Sequence, residues 1–279
     1  MKDLLAKTKE ICRLFEIKPE RSKGQNFLVN SRAYDDVVDA ADISTQDEVL
    51  EIGPGLGFLT VRLAAKAKKV IAVELDDKLA RYLELGFAAN DEEKVKIINQ
   101  DILKFNPASE LADGYKIVAN LPYNITSIFL RNYLSGNIRP ASMVLMLQKE
   151  VAKRIIATPG EMSVLAVSVQ HYADAEIVRL VPAANFWPEP EVESAIIRMV
   201  LKDAKFSQED DRRFFRLIKA GFSAKRKMLK NNLAGGLKLE SSIIETALKK
   251  SKIENGVRAE DLSLEQWYQL FAALSEFMV

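Results

Sequence analysis

Seven short apolar runs recur through the first two-thirds of the chain, at 48–52, 69–75, 95–100, 115–120, 142–148, 175–181 and 194–201. Between the early ones lie segments of helix length, such as 57–67 and 76–90. This alternation predicts an α/β fold: a largely parallel sheet with helices on both faces. The last two runs are separated by a proline-containing loop rather than a helix, which suits an antiparallel pair at one sheet edge. After about residue 203 the strand signals stop. Helices are predicted over 208–222, 224–233, 240–251 and 263–276, with turns at Gly235-Gly236 and Asn255-Gly256. The expected division is an α/β domain over 1–202, with a helical N-terminal extension, and a small all-helical domain over 203–279.

Two rare residues narrow the chemistry. The chain has one cysteine, Cys12, and one histidine, His171, so it can form no internal disulfide and no zinc site of Cys and His ligands. No metal is expected. His171 lies in the apolar, helix-like run SVLAVSVQHYA, where it reads as a packing residue rather than a catalytic base. Apolar residues make up 48% of the chain and charged ones 28%, a balance that argues for a folded domain and against disorder. No run approaches the roughly 20 apolar residues of a membrane span. The opening MKDLLAKTKEICRLFEIK lacks the apolar stretch of a signal peptide, so a cytoplasmic location is expected. The net charge is +1, but it is unevenly distributed: −3 over 1–201 and +4 over 202–279. Residues 212–230 carry eight Lys and Arg and no acid, which is either a solvated helix face or a phosphate-binding surface.

The run EVLEI leads straight into G-P-G-L-G, with Gly53, Gly55 and Gly57 ahead of a helix. In a doubly wound sheet the first strand-helix turn lies at the carboxyl edge, where ligands bind. Glycine lets the backbone bend sharply there and approach a ligand closely. The spacing is not the dinucleotide G-x-G-x-x-G, and alone it is a weak signal that a structural turn also explains. Glu74 ends the second strand, 17 residues after Gly57, where an acid can accept from both ribose hydroxyls. Asp101 ends the third, where it can accept from an adenine amino group. Either acid alone can simply cap the next helix. Gly, Glu and Asp at three successive strand ends point to a nucleoside lying along the sheet edge. With no Arg or P-loop Lys nearby to hold a phosphate, S-adenosyl-L-methionine is the expected cofactor.

The fourth strand ends in Asn120-Leu121-Pro122-Tyr123. A base amine is hard to methylate because its lone pair is delocalised into the ring. An Asn side-chain oxygen and a backbone carbonyl can each accept one N–H, which biases the nitrogen towards pyramidal geometry. Proline fixes the turn and leaves the carbonyl before it free, and the tyrosine offers a stacking face. No general base is needed, since the proton becomes acidic only after methylation.

This tetrad resembles the N-P-P-Y/N-L-P-Y motif of amino-methyltransferases. The segments KGQNFL (23–28), EIGPGLGFLT (51–60), VELD (73–76), QDIL (100–103), NLPYNI (120–125), LQKEVAKRI (147–155), NFWPEPEVESA (185–195) and GFSAKRKMLKNNL (221–233) follow one another along the chain. That order is similar to the KsgA-type family of small-subunit ribosomal RNA adenine dimethyltransferases, over nearly the whole length. The resemblance implies a Rossmann-like methyltransferase with a mostly parallel seven-stranded sheet. The activity it implies is dimethylation of two adjacent adenosines near the 3′ end of small-subunit ribosomal RNA, with a role in small-subunit biogenesis. The domain over 1–202 would then bind S-adenosyl-L-methionine and carry catalysis, and 203–279 would bind RNA.

Carried over by position, the resemblance makes Asn26 and Leu28 cofactor contacts, with Gln25 near the methionine moiety. Gly53 and Gly55 would touch the cofactor, Glu74 the ribose and Asp101 the adenine; Ile102 belongs to the same set. Asn120, with Leu121 and Pro122, would serve both cofactor and target amine. Tyr123 would stack on the target base, with Phe186 as the opposite face of an aromatic clamp. Lys219, Lys225, Arg226, Lys227 and Lys230 would lie along RNA phosphates. The implied partner is small-subunit RNA or an immature small subunit, met by a monomer and away from membranes. Two other readings remain. Dimethyltransferases of large-subunit RNA that confer antibiotic resistance typically read N-I-P-Y and lack F-S-x-K-R-K in this form, so Leu121 and 221–233 favour the small subunit. A non-catalytic ribosome-assembly factor is the other.

Overall fold

The computed structural model describes residues 4–19, 25–90, 93–122 and 125–278. Packing divides the chain into two compact units, Met1–Ala152 with Ala175–Leu201 and Lys153–Asp174 with Lys202–Val279. In the first unit, β1 (Phe27–Leu28) and β8 (Phe186–Trp187) form a small antiparallel pair. The main sheet comprises β2 (Glu48–Ile52), β3 (Lys69–Glu74), β4 (Val95–Asn99), β5 (Lys116–Asn120), β6 (Ser142–Gln148), β7 (Ala173–Val181) and β9 (Ser194–Leu201). Their order is β4-β3-β2-β5-β6-β9-β7. The pairs from β4 through β6 are parallel, and β9 runs antiparallel to β6. The mostly parallel sheet of seven strands is therefore present, with the last two strands neighbours at one edge.

The strands read as continuous apolar runs because both faces of the sheet are covered. Val70, Ile71, Ala72 and Val73 are all buried, and each large side chain hidden this way contributes about 1.5–3 kcal/mol. The unit's helices are α1 (Leu4–Leu14), α2 (Ser31–Ala41), α3 (Phe58–Ala64), α4 (Asp77–Ala88) and α5 (Thr126–Leu134), and α6 (Lys149–Ile155) follows β6. β2 lies between β3 on one side and β5 on the other. The winding thus reverses between β2 and β5, and a crevice forms beyond their carboxyl ends.

The second unit contains α7 (Val164–Tyr172), α8 (Gln208–Gly221), α9 (Leu229–Leu237), α10 (Ser241–Lys250) and α11 (Leu264–Leu274). A single cut near 203 would leave α7 with the sheet. Instead Ala166 and Val167 share a core with Phe214, Leu217 and Trp267. An apolar run specifies that a face is buried, not which neighbour covers it. His171 is a packing residue, as expected. It is 4% exposed, its Nδ1 is 3.0 Å from the Tyr268 hydroxyl, and its Nε2 is 3.0 Å from Asp211 Oδ1.

One helix start and one turn differ from expectation. The helix expected over 224–233 begins at Leu229, and Gly235-Gly236 lie inside it rather than after it. A Cβ on Gly236 would fall 2.7 Å from Ala220 Cβ, so the glycine lets α9 approach α8. The left-handed residue that ends α9 is Lys238, at φ 57°.

Candidate active site

The turn after β2 is built on glycine for a backbone reason. Gly53, Gly55 and Gly57 take φ of +63°, +58° and +76°, a region that side chains with a Cβ rarely adopt. Gly53 N–H donates to Val73 O at 3.0 Å, tying the turn to the end of β3. The Gly55 N–H donates to Glu74 Oε2 at 3.1 Å, and the Asp76 N–H to Glu74 Oε1 at 2.9 Å. Glu74 is only 6% exposed. Burial raises its pKa, and those two N–H donors oppose the rise. Asp101, at the next strand end, is half-buried. Its Oδ1 accepts the Leu103 N–H at 2.9 Å, so it does serve as a local cap.

Across the crevice, Asn120 ends β5. Its Nδ2 donates to Asn26 O at 3.4 Å. Among the described residues, neither Asn120 Oδ1 nor the Leu121 carbonyl accepts a hydrogen bond. Leu121 is buried, and its N–H is held by Met146 O at 3.2 Å. The Pro122 carbonyl accepts from Ile125 N–H at 3.4 Å and Thr126 Oγ1 at 3.5 Å. The turn is therefore fixed by its neighbours while two acceptors stay uncommitted. Tyr123 lies outside the described residues.

The N-terminal segment closes one side. Phe27 pairs with Trp187 and Leu28 with Phe186, a two-stranded link that the sequence reading did not anticipate. Asn30 caps α2 and also donates through Nδ2 to Asn185 Oδ1 at 3.1 Å. A cavity of about 90 Å³ lies between these parts, and Gln25, Asn26, Leu28, Gly53, Gly55, Glu74, Asn120 and Pro122 all line it. Asp101, Ile102, Leu121 and Phe186 do not. Ile102 is buried, and its carbonyl accepts from the Tyr133 hydroxyl. Phe186 is 4% exposed within the main core of the unit, so the open stacking face expected there is not presented in this structure. Pairing with Leu28 in β1 is what turns it inward. The other lining residues include Tyr34 from α2 and Glu51 from β2. Glu51 went unflagged because a glutamate in EVLEI looks like ordinary strand polarity.

These residues fit S-adenosyl-L-methionine. A glycine cradle, a buried carboxylate at the end of the adjacent strand and an open amide acceptor are the groups a sulfonium nucleoside needs. Among the described residues no three His, Cys, Asp or Glu side chains cluster as metal ligands do.

In the second unit, Lys219, Lys225, Arg226 and Lys227 are exposed. The last three sit in the turn between α8 and α9. Buried Asn232 pins that turn by donating to Gly221 O at 2.7 Å and Ala224 O at 3.0 Å. Lys230 is half-buried and paired with Glu245 at 3.2 Å, so it is less available than the others.

Several known proteins are similar to this chain over most of its length. A protein described as ribosomal RNA small subunit methyltransferase A from Dehalococcoides mccartyi is 42% identical over 276 residues, covering 98% of this chain and 94% of the relative. The crystal structure of a dimethyladenosine transferase from Plasmodium falciparum superposes with a TM-score of 0.76 at 25% identity, covering 90% of this chain and 98% of that one. The structure of the 23S rRNA methyltransferase ErmE gives 0.74 at 26% identity, over 90% and 100%. The profile of the ribosomal RNA adenine dimethylases matches residues 17–276. The chain belongs to the ribosomal RNA adenine dimethylase family.

Proposed function

We propose that this protein uses S-adenosyl-L-methionine to dimethylate the exocyclic amines of two adjacent adenosines near the 3′ end of small-subunit ribosomal RNA. The observation that carries the chemistry is the pair of acceptors left uncommitted among the described residues, Asn120 Oδ1 and the Leu121 carbonyl, on a turn whose Leu121 N–H and Pro122 carbonyl are both bonded. When bound, the cofactor supplies an electrophilic methyl group on a sulfonium. Asn120 Oδ1 and Leu121 O each accept one N–H of the target amine, which draws the lone pair out of conjugation and aims it. Fixed acceptors of this kind are worth more than flexible ones because they need no reorganisation at the moment of reaction. Glu74 accepts from the ribose, and Asp101 and Ile102 meet the adenine end. Gln25, Asn26, Leu28, Gly53 and Gly55 enclose the methionine end. Tyr123 stacks on the target base, and Phe186 joins it only if its ring leaves the core.

The exposed cations Lys219, Lys225, Arg226 and Lys227 run along RNA phosphates in this reading, and binding weakens steeply with salt. The target adenosines leave their stack to reach Asn120. The relative named for the small subunit, 42% identical, supports that subunit over the large one. The protein acts as a monomer on an immature small subunit in the cytoplasm. Incubation with labelled S-adenosyl-L-methionine and small or large subunits lacking their methyl groups tests this. Labelled dimethyladenosine is expected in small subunits; label confined to large subunits refutes the assignment.

A further inference from the structure

Resting on the cofactor reading above, we infer that Glu51 is the counter-charge for the α-ammonium group at the cofactor's amino-acid end, and that it sheds a proton when that cation arrives. Glu51 lies in β2 two residues before Gly53 and lines the cavity alongside Tyr34, Gly53 and Asn120. It is 1% exposed, and among the described residues its Oε2 has no hydrogen-bond partner. A buried carboxylate left this way is costly, and natural structures rarely keep one without a ligand or a function.

Among the described residues the charged neighbours are already committed. The Tyr34 hydroxyl, from α2, donates to Leu28 O at 2.9 Å. Arg62, from α3, lies 5.0 Å over the Tyr34 ring. Its guanidinium is engaged by Phe58 O, Ser31 and Asp35. Glu74, on β3, holds two backbone N–H groups and adds like charge. Thr60, also on α3, is near enough to favour ionisation without reaching hydrogen-bond geometry. Burial therefore dominates, pushing the Glu51 pKa up to about 8, with Thr60 opposing and Glu74 reinforcing the shift. A cation in contact reverses that balance by stabilising the carboxylate. The cavity, about 90 Å³, is on the scale of an amino-acid fragment rather than of a nucleoside. An ammonium group brings three N–H donors to a carboxyl that has none.

Calorimetric titration of the full chain with S-adenosylhomocysteine at pH 7, in two buffers of different ionisation enthalpy, measures the proton count. A group titrating near pH 8 is roughly 0.9 protonated at pH 7, so about 0.9 proton should leave per ligand bound, falling to near zero above about pH 9.5. 5′-Methylthioadenosine, which lacks the amino-acid end, should release none. Glu51→Gln should abolish the release and weaken S-adenosylhomocysteine at least about tenfold, with a circular-dichroism melt checking that the variant folds. Equal release with 5′-methylthioadenosine would trace the proton to Glu74 and overturn the inference. Release seen only with S-adenosyl-L-methionine would assign the charge to the sulfonium and overturn it too. Tight binding with no release sinks the Glu51 role alone, whereas no binding by any of the three sinks the cofactor reading with it.

Discussion

The two units each bury a titratable side chain, and they treat it in opposite ways. In the second, both ring nitrogens of His171 have partners, Tyr268 and Asp211, and Tyr172 donates to the other oxygen of Asp211. Phe206, Phe214 and Phe215 pack around the imidazole. In the first, among the described residues, Glu51 Oε2 has no partner, and Asn120 Oδ1 and the Leu121 carbonyl are open as well. Since an unmade buried hydrogen bond costs roughly 1–3 kcal/mol, a satisfied cluster stabilises the fold while an unsatisfied one stores binding capacity. The His171 cluster closes its polar groups on itself, and the cavity wall around Glu51 keeps them for a ligand.

Mutations can break that contrast. Asn120→Ala should lower methyl transfer by about 10²–10³-fold, the cost of one preorganised acceptor or donor at a reacting centre. RNA affinity, read by filter binding, should hardly change; full activity would end the proposed role. His171→Ala should instead cost about 3 kcal/mol of stability, seen in a thermal melt, by opening a cavity and stranding Asp211. It should leave cofactor affinity within about twofold, and a large loss of affinity would show that the two clusters are not separate in function.

The pH dependence of the two groups should also have opposite signs. Burial holds the His171 pKa below its ordinary 6.5, with Asp211 opposing. Its contribution is present above pH 6.5 and lost as pH falls through the lower folded value. Glu51 sits above its ordinary 4.5, so its contribution is full below 4.5 and lost as pH rises through about 8. Replacing Glu51 by Gln should therefore recover roughly 2 kcal/mol between pH 6 and pH 8, measured as the difference of urea midpoints from the parent chain. A constant difference across that range would refute the buried acid.

The smallest effect concerns exposed charges. Among the described residues Lys225, Arg226 and Lys227 form no ion pair. Reversing all three should weaken binding to small-subunit particles about tenfold at moderate salt and flatten the salt dependence. Unchanged affinity would leave the basic turn a solvated surface.

Much of this was legible in the residues, and the gaps share one cause. The strand runs at 48–52, 142–148 and 194–201 match β2, β6 and β9 because apolar runs of that length have few alternatives. Gly53, Gly55, Glu74, Asn120 and Pro122 could be picked out because strand ends in a doubly wound sheet converge on one edge, and they do line one cavity. Gly235 and Gly236 misled because glycine marks a turn in isolation, whereas here Gly236 marks a close approach of two helices. Phe186 misled because proximity to prolines says nothing about which way a ring faces.

The sequence by itself determined the alternation of strands and helices, the carboxyl-edge turns and the chemistry their side chains allow. Those depend on local periodicity and on residue type, which travel with the chain. Only the tertiary structure decided that 153–174 pack with the C-terminal helices, that β1 seals against β8, and that Glu51 is left without a hydrogen-bond partner in the cavity wall. Each of these depends on what the rest of the chain places beside a residue, and burial and hydrogen-bond satisfaction exist only once those neighbours are in place.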